Sequence, residues 1–184
     1  MRGHLFLNQN EYLTVEEFHL IRNMDLPQDF LDFLEIGFRT GLRSKDILSL
    51  KRENIDLQKE RIIGTPQKTN LPMDVALDKT SLSILKRRLE NAKADNLFID
   101  KFGNTYKLGY IRKYFEKAHK NIHPDLLIHK DITSIRRGNR DLLYLHDVSL
   151  AEIEYRQCFR SDYGNDLYVE DQSDSLFVIN EFLK

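Results

Sequence analysis

Residues 30–38 constrain this chain most. Phe30, Leu31, Leu34 and Phe38 recur at helical spacing, and Phe33 and Ile36 fill other faces. A helix that is apolar on nearly every side must be wrapped by other elements. Leu26-Pro27 opens this segment and Gly41 is its expected C-cap. An earlier helix is predicted from Thr14-Val-Glu-Glu17, which reads as a capping box, and it should run to about Asn23. A short third helix follows, with Ile47, Leu48 and Leu50 as its apolar side.

The pattern then shortens to the period of strands. Ile62 and Ile63 lie in the run 60–64, and Val75 and Leu77 in the run 74–77. Pro66, Asn70 and Pro72 fall between them, which predicts two short strands around a polar turn. Asp78 or Thr80 can cap a further helix through Leu82, Leu85 and Leu89. Leu97-Phe98-Ile99 before Phe102-Gly103-Asn104 reads as a strand and turn. A basic amphipathic helix is predicted from Leu108 to about Asn121, and more helices near 131–146, 149–158, 164–170 and 175–183. The expected fold is mixed and mainly α, with a small antiparallel β-sheet (α+β). Residues 1–184 are expected to form one domain, with a core over 13–170 and an acidic C-terminal segment over 171–184.

Several chemistries find no support. The single cysteine, Cys158, excludes an intrachain disulfide and a cysteine-based zinc site. No apolar run approaches the roughly 18–20 residues that span a bilayer, and no signal-peptide pattern opens the chain. His119 and His123 are four apart, but Pro124 follows and no HExxH pattern accompanies them. No metal or other cofactor is therefore expected. A phosphate-loop glycine pattern and a Gly-x-Ser-x-Gly elbow are also absent from the sequence. A reducing, cytoplasmic compartment is the simplest expectation.

The formal net charge is −1, but it is unevenly placed. Residues 161–184 carry −5 and residues 1–160 carry +4, while residues 107–140 hold nine Lys/Arg against three Asp/Glu. A basic body with an acidic tail suits an anionic partner; the alternative is a solvated helix face.

A string of separated polar residues then stands out. Thr40-Gly41-Leu42-Arg43-Ser44-Lys45-Asp46 places Arg43 after a glycine turn, with Asp46 one helical turn on. Lys68-Thr69 falls in the turn between the two predicted strands, ahead of Val75-Ala76-Leu77. Ile135-Arg136-Arg137 lies in a predicted helix, and Tyr168 comes 32 residues after Arg136. Taken singly, each feature is ordinary: a surface ion pair, a solvated lysine, a polar helix face, a core or rim tyrosine.

Taken together, from Leu13 to about Val169, they resemble the catalytic domain of the tyrosine recombinases, the phage integrase family. That family opens the domain with a similar Leu-Thr-x-Glu-Glu helix. Its TGxRxxE/D motif is matched by Arg43 and Asp46, its hairpin lysine by Lys68, the arginine of its HxxR motif by Arg136, and its nucleophilic tyrosine by Tyr168. Two positions depart from the pattern. Thr133 stands where HxxR has histidine, and Phe159, preceded by Cys158, stands where a His or Trp is usual. Neither side chain can do an imidazole's proton transfer.

The resemblance implies a tyrosine recombinase fold and site-specific DNA recombination through a 3′-phosphotyrosine intermediate. Arg43, Lys68, Arg136 and Tyr168 would be catalytic, and Asp46, Thr133 and Phe159 supporting. Lys107, Arg112, Lys113, Arg137 and Arg140 would contact double-stranded DNA. It also implies self-association on DNA. The segment from Ser175 to Leu183 would dock on a neighbouring subunit or on its own domain. The family's N-terminal DNA-clamping domain has no expected counterpart in these residues. The alternative, carried by Thr133, Phe159 and the near-neutral charge, is a catalytically impaired DNA-binding or interaction module.

Overall fold

The structure is a computed structural model, and it describes residues 3, 5, 11–65, 72–92, 94–126, 130–158 and 171–184. Its elements are α1 (Val15–Arg22), α2 (Gln28–Thr40), α3 (Ser44–Leu48), β1 (Ile55–Asp56), β2 (Arg61–Gly64), β3 (Met73–Ala76), α4 (Lys79–Asn91), α5 (Leu108–Ile122), α6 (Thr133–Leu145), α7 (Leu150–Arg156) and α8 (Ser173–Phe182). A single 3-10 turn at Arg52–Asn54 precedes β1.

Helix α2 is the axis of the fold. Phe30, Leu34, Ile36 and Phe38 are fully buried, and α1, α3, α4, α5 and α6 all pack on it. Burial on every side also traps its charges, and each finds a partner. Asp32 meets Arg87 at 2.6 Å and Arg88 at 2.8 Å. Arg39 meets Glu35 at 2.6 Å and Asp78 at 2.8 Å. An unpaired charge at these depths would cost several kcal/mol (about 3–5 when one partner of a buried pair is removed). Helix α6 approaches closest: a Cβ on Gly138 would collide with the Leu13 carbonyl oxygen and the Phe38 ring.

Helix boundaries follow local chemistry. Thr14 caps α1 in a reciprocal box: its hydroxyl accepts from Glu17 N at 3.2 Å, and its own N–H donates to Glu17 Oε2 at 2.9 Å. Asp78 rather than Thr80 caps α4, accepting from Thr80 N and Ser81 N. Gly41 ends α2 at φ +69°, in the left-handed region where glycine carries no Cβ penalty.

The sheet is antiparallel in the order β1-β2-β3, with Ile62 opposite Val75, both fully buried. Strand β1 adds a third member to the expected pair. The expected strand at Leu97–Ile99 is not formed. Only isolated bridges, Lys51–Asn96 and Ile99–Thr105, occur there. Leu97 and Phe98 are buried by packing instead, Phe98 under the Arg88 guanidinium at 4.2 Å. The helix expected at 164–170 lies outside the described residues.

Helix α8 packs on α6 of its own domain and buries Val178, Ile179 and Leu183. Its C-terminal carbonyls are held by Arg39, which donates to Leu183 O, and by Arg22, which donates to Lys184 O at 3.0 Å. Phe182 stacks on His146 at 3.8 Å. Of the two expected destinations for this segment, the structure shows its own domain, with Phe177 left 69% exposed. Among the described residues no helix is long and apolar enough to cross a membrane.

Candidate functional site

The sharp corner between α2 and α3 presents Arg43. Gly41 turns the chain, Leu42 is buried, and Arg43 takes the extended cap position before α3. Its guanidinium reaches across the fold to the end of α7. There Nη1 and Nη2 donate to the carbonyl oxygen of Cys158 at 3.3 and 3.2 Å. Asp46, one turn into α3, lies 3.8 Å from Nη1, a loose pairing. Burial pushes the Asp46 carboxyl up, against the opposing pull of Arg43 and Arg136.

Arg136 enters the same corner from α6 and donates from Nη1 to Gly41 O at 2.8 Å. Burial first, and then repulsion from Arg43, pushes its guanidinium down to about 10. The two arginines, 93 positions apart in sequence, therefore feel each other's charge. Among the described residues, Asp46 is the carboxylate that offsets them, and its own ionisation is opposed by burial. Two constrained guanidinium groups that repel each other are suited to an oxyanion, which both could bind through planar, paired donors.

The corner is held by residues that sequence reasoning missed. Asn139 donates to Phe38 O at 2.8 Å, and Gln157 Nε2 donates to Asn139 Oδ1 at 2.9 Å and to Arg136 O at 3.2 Å. A Cβ at Gly41 would run into both amides. Deeper, the fully buried Arg156 binds Ala76 O at 3.1 Å, Gln172 Oε1 at 2.8 Å and Arg39 O at 3.3 Å. These amides and this arginine tie the ends of α2, α6, α7 and β3 together. Nothing in their local sequence marks them, because every partner is distant along the chain.

The other expected residues fall out as follows. Thr133 opens α6, and its hydroxyl donates to Asp131 Oδ1 at 2.5 Å. The resemblance casts it as a supporting residue, and in this structure its hydroxyl donates to a carboxylate two positions before it. Lys107 at the N-cap of α5, Arg112 and Lys113 along α5, and Arg137 on α6 are exposed. Arg140 does not join that exposed set: it is half-buried and paired with Glu154 at 3.1 Å. Lys68, Phe159 and Tyr168 lie outside the described residues. Their neighbours in the chain are informative. Thr65 and Met73, on either side of Lys68 in the sequence, line a hollow of about 590 Å³ together with Lys45, Asp46, Lys51 and Leu108.

The sequence profile of the phage integrase family matches residues 12–156, which is most of the chain. The chain belongs to the phage integrase family. The matched span contains Arg43, Asp46, Lys68, Thr133 and Arg136 and stops before Phe159 and Tyr168. No curated protein matches the chain in sequence.

Solved structures agree on the fold. The Tn1549 transposon integrase in complex with transposon right-end DNA superposes with a TM-score of 0.67 at 16% identity, over 91% of this chain and 63% of that one. XerH site-specific recombinase, bound to its difH substrate before cleavage, gives 0.67 at 22% identity, over 82% and 47%. The lambda integrase catalytic core gives 0.66 at 17% identity, over 84% and 95%. A lambda integrase tetramer on a Holliday junction gives 0.68 at 18% identity, over 89% and 51%. The chain thus spans about half to two thirds of the longer relatives and nearly all of an isolated catalytic core.

Proposed function

We propose that this chain acts on double-stranded DNA as an integrase-type recombinase, cleaving and rejoining strands without a metal or high-energy cofactor. One observation carries the reading. Arg43 and Arg136 converge on one corner, in a chain of the phage integrase family. A phosphodiester in transfer spreads negative charge over its non-bridging oxygens, and two fixed guanidinium groups would stabilise that charge. One preorganised donor of this kind typically contributes on the order of 10²–10³ in rate.

Tyr168 would attack phosphorus, losing its phenolic proton to solvent and forming a 3′-phosphotyrosine that conserves the bond. The leaving 5′-oxygen needs a proton, and Lys68 is the proposed general acid. Two features support these assignments. Thr65 and Met73, on either side of Lys68 in the sequence, both line the hollow beside Asp46. Residues 159–170 follow Cys158, whose carbonyl Arg43 holds, and precede Gln172, whose Nε2 donates to Asp74 O on β3 at 2.7 Å. Lys107, Arg112, Lys113 and Arg137 would meet the phosphate backbone outside the reacting centre. Assembly of several copies on DNA, as in the lambda integrase tetramer, and a cytoplasmic setting belong to the same proposal.

A second reading, DNA binding without chemistry, is favoured by the bond from Thr133 to Asp131, which leaves a carboxylate and no imidazole at that position. A library of nicked duplexes with randomised sites separates the two. Cleavage near the nick releases a short fragment and traps the enzyme on its DNA, so a covalent adduct on a denaturing gel supports the first reading. It should vanish in Tyr168→Phe with DNA affinity kept. Retained DNA with no adduct from any pool would establish the second reading.

A further inference from the structure

Away from the arginine corner, α1 and α5 bring together three side chains with metal-binding chemistry. Glu17 projects from α1. His119 and His123, one helical turn apart, project from the end of α5. One nitrogen from each imidazole and one oxygen of the carboxylate all lie within 4.8 Å of one another. Glu17 Oε1 is 2.8 Å from His123 Nε2 and 3.6 Å from His119 Nε2. A tetrahedral zinc site with bonds near 2.0–2.1 Å has donor–donor edges of about 3.3 Å. The two separations from the carboxylate bracket that edge, and the histidine nitrogens, within 4.8 Å of each other, would close toward it on binding an ion.

The carboxylate is also oriented for this role. Lys130 Nζ donates to Glu17 Oε2 at 2.6 Å, and Thr14 N donates to the same oxygen at 2.9 Å. Both bonds fix the far oxygen and turn Oε1 toward the imidazoles, as outer partners do in metal sites. His119 is fully buried while the His123 side chain is 38% exposed, which gives an ion an entry path and leaves a side open for water. Two imidazoles and one carboxylate select a borderline divalent ion of the zinc class over magnesium or calcium, which prefer all-oxygen shells.

We propose that Glu17, His119 and His123 form a zinc-class divalent metal site that pins α1 to α5, independent of the arginine corner. The sequence held half of the signal, the four-residue histidine spacing. The third donor is 102 positions upstream of His119 and is joined to it only by the packing of α1 on α5. Lys130 opposes the incoming charge, so the affinity should be moderate rather than that of a zinc finger.

The test uses the untagged full chain, stripped with a chelator and titrated with Zn²⁺ by calorimetry and with Co²⁺ by visible absorption. One equivalent should bind, with the intense visible bands of a four- or five-coordinate Co²⁺ site. His123→Gln, at a half-exposed position, should lower the affinity at least about tenfold and abolish the zinc-dependent rise in melting temperature. Glu17→Gln should weaken binding similarly, while His4→Gln and His146→Gln should not. If neither ion binds at one equivalent, or if binding is the same in His123→Gln, the three residues are only a hydrogen-bonded set and the proposal is overturned.

Discussion

Arg43 closes both terminal nitrogens on the carbonyl oxygen of Cys158, 115 residues away, at 3.3 and 3.2 Å. The bond joins the end of α7 to the α2–α3 corner. It also means that the guanidinium is already in position, with its donors on an exchangeable acceptor. Beside it, Arg136 is held by Gly41 O and pushed down to about 10 by burial and by Arg43. An anion bound between them would relieve that repulsion.

The first prediction follows from that relief. Sulfate or phosphate should raise the melting temperature beyond the general salting effect, because an ion that binds only the folded state stabilises it by mass action, about 2.7 kcal/mol at one hundred times its dissociation constant. The specific part should disappear in Arg43→Gln. Equal shifts in parent and variant would show that the pair does not hold an oxyanion.

How much of this was legible in the sequence depends on distance along the chain. The Thr14–Glu17 box is contained within four residues, so it reads directly, and locality narrows the α4 cap to Asp78 or Thr80, of which the structure uses Asp78. Arg43 and Arg136 are legible through motif register, not through periodicity. The bonds that position them were invisible, since Asn139 meets Phe38 O from 101 positions away and Gln157 meets Asn139 from 18. Leu97-Phe98-Ile99 reads as a strand from sequence because a short apolar run looks the same whether it joins a ladder or simply packs under Arg88.

Thr133→His should raise adduct yield without changing DNA affinity. Asp131 Oδ1 accepts the backbone N–H of residue 133 at 2.7 Å, a bond that survives the change and keeps the helix start in place. The same carboxylate can then orient the new imidazole. General acid–base groups contribute about 10²–10⁴-fold when well placed, so even partial placement should give roughly tenfold. Single-turnover cleavage of a suicide duplex measures it; an unchanged rate would show that this position does not limit the site.

Cys158 should resist alkylation at pH 8 in the folded chain and react readily in denaturant. Burial pushes its thiol up to about 11 despite the nearby arginines, so almost no thiolate is present. The sign follows: folding favours the protonated thiol, a contribution complete below about pH 9 and lost as pH rises to about 11. Mass spectrometry after timed labelling checks the first point, and unfolding curves across that window check the second. Rapid labelling of the native chain at pH 8 would contradict the buried placement.

Gly138→Ala tests the closest helix contact. The added Cβ would meet the Leu13 carbonyl oxygen and the Phe38 ring, neither of which can move freely. Overpacking of this kind typically costs about 1–3 kcal/mol, readable as a lower urea midpoint at unchanged slope. A neutral substitution would mean that α6 sits farther from α2 than described.

The central claim is that the Arg43–Arg136 corner is where a DNA phosphate sits. A crystal structure of the chain bound to duplex DNA tests it most directly. The account predicts one backbone phosphate within hydrogen-bonding reach, about 3 Å, of both guanidinium groups, with Arg43 released from Cys158 O and the exposed cations of α5 along the flanking backbone. Duplex bound on another face, with Arg43 still on Cys158 O and Arg136 still on Gly41 O, would contradict it.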